Sequence, residues 1–114
     1  MLQTNLTHIE NEQDLQSTLD QNDNVMVTCG RMGPMCIPVY DIMENLEQKY
    51  EDVAFRDMAF DSDIASTVKG LPDARMLRSL PFVVYYKGGE VVKVTGGIQT
   101  KKQVKENLEE LRQR

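Results

Sequence analysis

Apolar and polar residues alternate in blocks along the chain, and the spacing within each block predicts an element. Short apolar runs bounded by polar residues or glycine predict strands, and apolar residues three or four positions apart predict helices. The predicted strands are residues 6–9, 25–29, 53–58, 82–86 and 91–95. The predicted helices are residues 11–19, 34–50 and 61–68 and a last helix that follows residue 100.

The ends of several elements carry residues suited to those positions. Pro34 fits the first turn of the long helix, where its missing N–H costs nothing. Asp61 and Thr100 are expected to cap the helices that follow them. Gly88 and Gly89 supply the positive φ angles of a tight hairpin turn between the last two strands.

Two of the helices have an apolar stripe that predicts which side faces the core. The stripe of the long helix consists of Met35, Val39, Ile42, Leu46 and Tyr50, widened by Met43. The last helix is expected to turn Val104, Leu108 and Leu111 inward. The resulting order β-α-β-α-β-α-β-β-α predicts a central mixed sheet with helices on both faces. We find no linker or repeat and expect one domain, residues 1–114.

The composition narrows the possible functions. The 114 residues carry a formal net charge of -5, which argues against nucleic-acid binding because phosphate contacts need a clustered basic surface. No apolar run approaches the roughly 18 residues that span a bilayer, and residues 1–20 lack the pattern of a secretory signal. We therefore expect a cytoplasmic protein with no nucleic-acid or membrane partner. In a reducing compartment, the two cysteines are more typical of catalysis, sensing or metal binding than of a disulfide scaffold.

Two segments carry a resemblance to thioredoxin that covers nearly the whole chain. Residues 25–36 read Val-Met-Val-Thr-Cys-Gly-Arg-Met-Gly-Pro-Met-Cys, and residues 77–81 read Leu-Arg-Ser-Leu-Pro before the hairpin. Residues 73–78 look like a short insertion. The resemblance implies an α/β thioredoxin fold, a mixed sheet of four to five strands flanked by about four helices. It also implies that Pro81 is the family's cis-proline and that the backbone of Leu80 pairs with an extended substrate.

The chain departs from the thioredoxin pattern at the active-site loop. Aligning the long helix puts Cys36 at the resolving position and Gly33 at the nucleophile's position. Aligning Gly33-Pro34 instead puts Met32 there, so neither alignment supplies the usual Cys-x-x-Cys pair. The family's buried acid is replaced by Thr28, and Arg31 is a cation that is expected to favour a thiolate nearby.

The resemblance implies atypical thiol–disulfide exchange, part of cell redox homeostasis, with Cys36 as the reactive thiol and Cys29 as its candidate partner. Cys36 would lie in the first turn of the long helix, open to solvent. The predicted substrate-binding residues are Met32, Gly33, Pro34, Leu80 and Pro81. The predicted partners are a protein or peptide with a disulfide or thiol and a reductase of the thioredoxin-reductase type, with no cofactor.

Other hypotheses stay open at this point. Cys29 is also consistent with a small buried residue, which would leave Cys36 to act alone. A non-catalytic thioredoxin-fold module would keep the peptide groove without the chemistry. A Cu(I) carrier would use the soft sulfur ligands of Cys29, Met32, Met35 and Cys36. His8, the only histidine, is interpreted as a surface or structural residue.

Overall fold

The computed structural model describes residues 2–77 and 79–114, apart from the side chain of Met76. The strands are β1 Thr7–His8, β2 Asn24–Gly30, β3 Val53–Ala59, β4 Phe82–Lys87 and β5 Glu90–Gly96. The helices are α1 Glu12–Gln21, α2 Ile37–Glu47, α3 Ser66–Lys69 and α4 Lys101–Arg112, with short 3-10 turns at Asp63–Ala65 and Ala74–Met76. Arg78, at the end of the predicted insertion, lies outside the described residues.

The five strands form one mixed sheet in the order β1-β3-β2-β4-β5. β1 and β2 both pair in parallel with β3, whereas β4 runs antiparallel to β2 and to β5. Gly88 and Gly89 have φ angles of 60° and 84°, which gives the tight β4–β5 turn expected from their lack of a side chain. The predicted α/β architecture and mixed sheet are confirmed.

Side-chain alternation along the strands divides the core into two layers. On one face, Met26 of β2 and Phe55 of β3 pack against α2 and α4. On the other face, Val25 and Val27 of β2 pack in a second cluster. Its helical contributors are Leu15 and Leu19 of α1, Ile64 and Ala65 of the 3-10 turn, and Val68 of α3. The inward residues predicted for α4 are all buried in the first layer.

α2 begins three residues later than predicted, and Pro38 gives the reason. Proline lacks an N–H and clashes with the preceding turn, so it is tolerated only at the start of a helix. The helix therefore begins at Ile37, with Pro38 second. Met35 lies ahead of it and is 42% exposed, which corrects its assignment to the core stripe. Tyr40 is instead fully buried on the inner face.

The two predicted caps differ in outcome. Thr100 caps α4 and exchanges reciprocal hydrogen bonds with Gln103, as the sequence predicts. Asp61 does not cap the following turn, since its carboxylate is bound by Arg31 instead. In the described part of the chain, no helix is long and apolar enough to span a membrane.

Candidate functional site

The loop between β2 and α2 packs against Pro81 at the carboxyl end of β2. A Cβ atom built on Gly30 would lie 2.7 Å from Tyr40 Oη, 2.9 Å from Cys36 Sγ and 3.1 Å from Pro81 Cβ. Only a residue without a side chain allows these three groups to approach the strand so closely. The Leu80–Pro81 bond is cis, as the resemblance implied. Cys36 and Pro81 therefore meet over Gly30.

Cys36 is the N-cap residue of α2, where the sequence placed it in the first turn. The Arg31 N–H donates a hydrogen bond to its Sγ at 3.4 Å. The residue is only 3% exposed, which corrects the expectation of a thiol open to solvent. The sulfur is buried because it lies above Gly30 together with the Tyr40 hydroxyl and Pro81.

Gly33 lies three residues before Cys36, at the start of the turn that leads into α2. Its carbonyl accepts hydrogen bonds from the N–H groups of Cys36 and Ile37 at 3.1 and 3.0 Å. A Cβ atom built on Gly33 would meet nothing within 4 Å. Gly33 is the residue that the alignment of the long helix puts at the position of the thioredoxin nucleophile. A side chain at this position would therefore point into open space.

Cys29 is separated from Cys36 by the sheet itself. It alternates with Thr28 and Gly30 along β2 and packs with Val25 and Val27 in the second core layer, whereas Cys36 packs in the first. Both residues are free thiols. Burial raises the pKa of the Cys29 thiol to about 12. The expectation that Cys29 lies close enough to bridge to Cys36 is therefore corrected by strand alternation.

The Arg31 side chain turns away from the thiol. Its guanidinium binds both carboxylate oxygens of Asp61 at 2.9 and 2.8 Å and lies 4.9 Å from the centre of the Phe60 ring. The hydrogen bonds from Arg31 lower the pKa of Asp61. Arg31 thus contacts Cys36 through its backbone N–H. Its charged guanidinium, which was expected to favour a Cys36 thiolate, binds Asp61 instead.

Tyr40 is a site residue that the sequence analysis missed. Its hydroxyl donates to the Arg31 carbonyl at 3.1 Å, on the same residue whose N–H binds Cys36. Burial raises the pKa of Tyr40, and the neighbouring Cys36 sulfur adds to the effect. The signal lay in the helical spacing, since Tyr40 is three residues before Met43 and so shares its side of the helix.

A buried acid is present, but on the neighbouring strand. Thr28 is fully buried and donates to Met43 Sδ at 2.8 Å. Its register partner on β3 is Asp57, also fully buried, which binds the Thr4 hydroxyl and, at 2.5 Å, His8 Nδ1. Burial raises the pKa of Asp57, while the hydrogen bonds from Thr4 and His8 oppose the rise. His8 is therefore a partner of a core carboxylate, which its place in the sequence did not indicate.

Several apolar side chains around the loop are exposed. We call these four side chains the rim, and they are Met32, Met35, Ile37 and Ile98. Ile98 follows Gly97, whose N–H donates to the Pro81 carbonyl at 3.1 Å, which brings it beside the proline. Sequence reasoning missed Ile98, although it follows the glycine pair that ends β5.

The predicted substrate-binding residues belong to two segments. Met32, Gly33 and Pro34 lie in the loop between Gly30 and Cys36, and Pro81 approaches the ends of that loop at Gly30. Among residues 2–77 and 79–114, we find no hydrogen-bond partner for the Leu80 backbone. The four sulfurs considered for Cu(I) do not converge, because Cys29 faces the opposite layer.

No protein-family model and no curated protein matches the sequence. Solved structures do match. Mitochondrial thioredoxin 3 from Saccharomyces cerevisiae is 20% identical, with a TM-score of 0.75 over 93% of this chain and 95% of that one. A mutant thioredoxin from Halobacterium salinarum is 21% identical, with a TM-score of 0.78 over 97% and 96%. Thioredoxin O2 from Arabidopsis thaliana is 18% identical, with a TM-score of 0.72 over 96% of both chains. The chain therefore has the thioredoxin fold.

Proposed function

We propose that the protein is a non-catalytic binding module that holds an extended segment of a partner protein across the Leu80–Pro81 face. The observation that carries this proposal is that the thiols at the site are buried while the apolar side chains around them are exposed. Both thiols are buried, at 0% and 3% exposed, whereas the rim residues are between 38% and 53% exposed. The surface offered to a partner is thus apolar rather than nucleophilic.

The backbone groups of Leu80, unpaired among the described residues, support an extended partner segment. An N–H and a C=O without partners at the surface are suited to pairing with another strand. Leu80 itself is half-buried against the first core layer, so its backbone is held in place. The partner contributes main-chain hydrogen bonds here and apolar side chains to the rim.

The composition of the rim favours binding of varied apolar segments rather than of one segment with a fixed shape. Methionine is unbranched and adapts to irregular surfaces, and it is frequent on binding surfaces that accept several sequences. Met32 and Met35 make up half of the rim. The second thiol that a dithiol enzyme needs is missing at the same place, since Cys29 lies across the sheet.

Thiol–disulfide exchange through Cys36 alone is the second candidate. The hydrogen bond from the Arg31 N–H to Cys36 Sγ favours it, because donors at a helix N-terminus stabilise a thiolate. The thiolate would attack a substrate disulfide, form one mixed disulfide and release the other substrate sulfur as a thiolate. An external thiol of the glutathione class would then have to release Cys36 by a second exchange.

Binding is tested with a permanently unfolded client protein whose cysteines are all carboxymethylated. Such a client cannot form a mixed disulfide, so any retention is non-covalent. We expect the wild-type protein to bind and Ile37→Lys to bind at least about tenfold more weakly, since a charge in an apolar contact costs more than 1.4 kcal/mol.

Val91→Lys is the matched control for that experiment. Ile37 and Val91 are both 38% exposed, but Val91 pairs with Tyr86 near the hairpin end of β5, far from Pro81. Equal losses of client affinity in the two variants, or no binding by the wild-type protein, would refute binding at the Leu80–Pro81 face.

The second candidate has its own experiment. The protein is incubated with glutathione disulfide, and its mass is measured before and after reduction. Single-cysteine exchange predicts one glutathione adduct on Cys36 that Cys36→Ser abolishes. Absence of the adduct in the folded protein would refute exchange through Cys36.

A further inference from the structure

The sulfur atoms of the site differ sharply in their access to solvent. Cys29 and Cys36 are buried, whereas Met32 and Met35 are 41% and 42% exposed. Three other methionines, Met26, Met43 and Met58, are fully buried. The sulfur that an oxidant in solution meets first at this site is thus a thioether and not a thiol.

Peroxide oxidises a thioether by transferring one oxygen atom. The sulfur of methionine attacks the O–O bond of hydrogen peroxide, the bond breaks, and the products are one methionine sulfoxide and one water. The sulfur loses two electrons and the peroxide is reduced. The apolar side chain becomes polar, and methionine sulfoxide reductases reverse the change.

A backbone contact makes Met32 more than an exposed side chain. The Gln3 N–H donates to Met32 Sδ at 3.4 Å, which connects the segment before β1 to the loop between β2 and α2. A sulfoxide oxygen is a stronger acceptor than a thioether sulfur, since thioethers accept only weakly. Oxidation at Met32 therefore changes a contact that can be observed at Gln3.

We infer that Met32 and Met35 are modification sites at which peroxide converts the rim from apolar to polar and releases the bound segment. The modification stands on exposure and chemistry alone. Its effect on binding rests on the proposed function, because it needs an apolar partner on the rim. The loop between β2 and α2 would then respond to oxidants through Met32 and Met35.

The modification is tested by peroxide titration of the folded protein followed by peptide mapping. We expect sulfoxide on Met32 and Met35 to form at least about tenfold faster than on Met26, Met43 and Met58, because susceptibility follows exposure. In urea, all five should react at similar rates. Earlier oxidation of Cys36, or equal rates for buried and exposed methionines in the folded protein, would overturn the inference.

The consequence is tested with Met32→Leu/Met35→Leu, which keeps the rim apolar but cannot be oxidised there. After peroxide, we expect the wild-type protein to lose at least about tenfold in affinity for the carboxymethylated client and the double variant to keep its affinity. Equal losses in both proteins would overturn the switch. If the client does not bind before peroxide, the proposed function fails, and the peptide map still decides the modification.

A spectroscopic readout separates the two methionines. In the nuclear magnetic resonance spectrum, the Gln3 amide signal should move on oxidation of the wild-type protein and of Met35→Leu. It should stay in place in Met32→Leu, because the acceptor sulfur is gone. A Gln3 signal that moves in Met32→Leu as well would refute the assigned contact.

Discussion

At the scale of single residues, the feature least expected from the sequence is the pair of hydrogen-bond partners of the Asp57 carboxylate. The strand pattern of Val53, Phe55 and Asp57 places an acid in a core position, and the structure buries it fully. Burying a charged carboxylate is costly unless it is hydrogen-bonded. Thr4 and His8 supply the hydrogen bonds, from a segment some fifty positions earlier in the chain. Such a partnership depends on β1 pairing with β3, which a local pattern cannot reveal.

Asp57→Asn should change how stability depends on pH. Because burial raises the pKa of Asp57 in the folded protein, the folded chain holds more protons than the unfolded chain above about pH 4. The contribution of this carboxyl is complete below its unfolded pKa and is lost as pH rises through its folded pKa. An asparagine cannot ionise, so the variant should lack this decline, and its stability relative to wild type should increase with pH.

Urea unfolding at a series of pH values from about 4 to 7 measures this difference. Asp41→Asn, which removes an exposed carboxylate from α2, controls for the loss of one negative charge. A difference between Asp57→Asn and wild type that stays constant with pH would contradict the direction given for Asp57.

At the scale of elements, the sequence predicted those whose signals are local. The β4–β5 hairpin depends on two adjacent glycines, and the cap of α4 depends on Thr100 and Gln103. The start of α2 was misplaced because Pro34 and Pro38 both fit a first turn, and the apolar stripe extends past the true start. The position of Pro38 decides between them, because a helix that began at Pro34 would hold Pro38 past its first turn, and Cys36 becomes the N-cap.

The packing of α2 against β2 predicts opposite outcomes for Gly30 and Gly33, which are three residues apart. Gly30→Ala would put a Cβ within 3.1 Å of Tyr40, Cys36 and Pro81, so we expect a loss of about 1–3 kcal/mol from overpacking. Gly33→Ala meets open space and a φ that is not positive, so it should be neutral or stabilising by up to about 1 kcal/mol. Denaturant unfolding measures both. Similar effects of the two variants would show that the loop adjusts freely around Gly30.

At the scale of the whole molecule, the order and periodicity of the elements predicted a mixed sheet with helices on both faces, and the resemblance to thioredoxin supplied the particular fold. The substrate-binding role of Met32, Gly33, Pro34, Leu80 and Pro81 stays a prediction. The structure does bring Cys36 and Pro81 close together over Gly30. The two cysteines are close in sequence yet lie on opposite faces, since one step along a strand reverses the side chain. Spacing in sequence therefore could not establish the pair.

The whole fold also predicts what a single cysteine would restore. Gly33 lies three residues before Cys36, its Cβ direction is open, and α2 begins at Ile37, directly after Cys36. Gly33→Cys should therefore form a reversible disulfide with Cys36 and gain the ability to reduce a protein disulfide, which the wild-type protein should lack. Gly33→Cys/Cys36→Ser is the control, because it keeps the new thiol without a resolving partner and should stop at a mixed disulfide. Turnover is followed with a disulfide-bonded substrate and an excess of small-molecule dithiol. If Gly33→Cys forms its internal disulfide but gains no activity, groups other than the nucleophile have also been lost. If no disulfide forms, the loop holds Cys36 out of reach of residue 33, and the likeness to thioredoxins does not extend to the geometry of the active site.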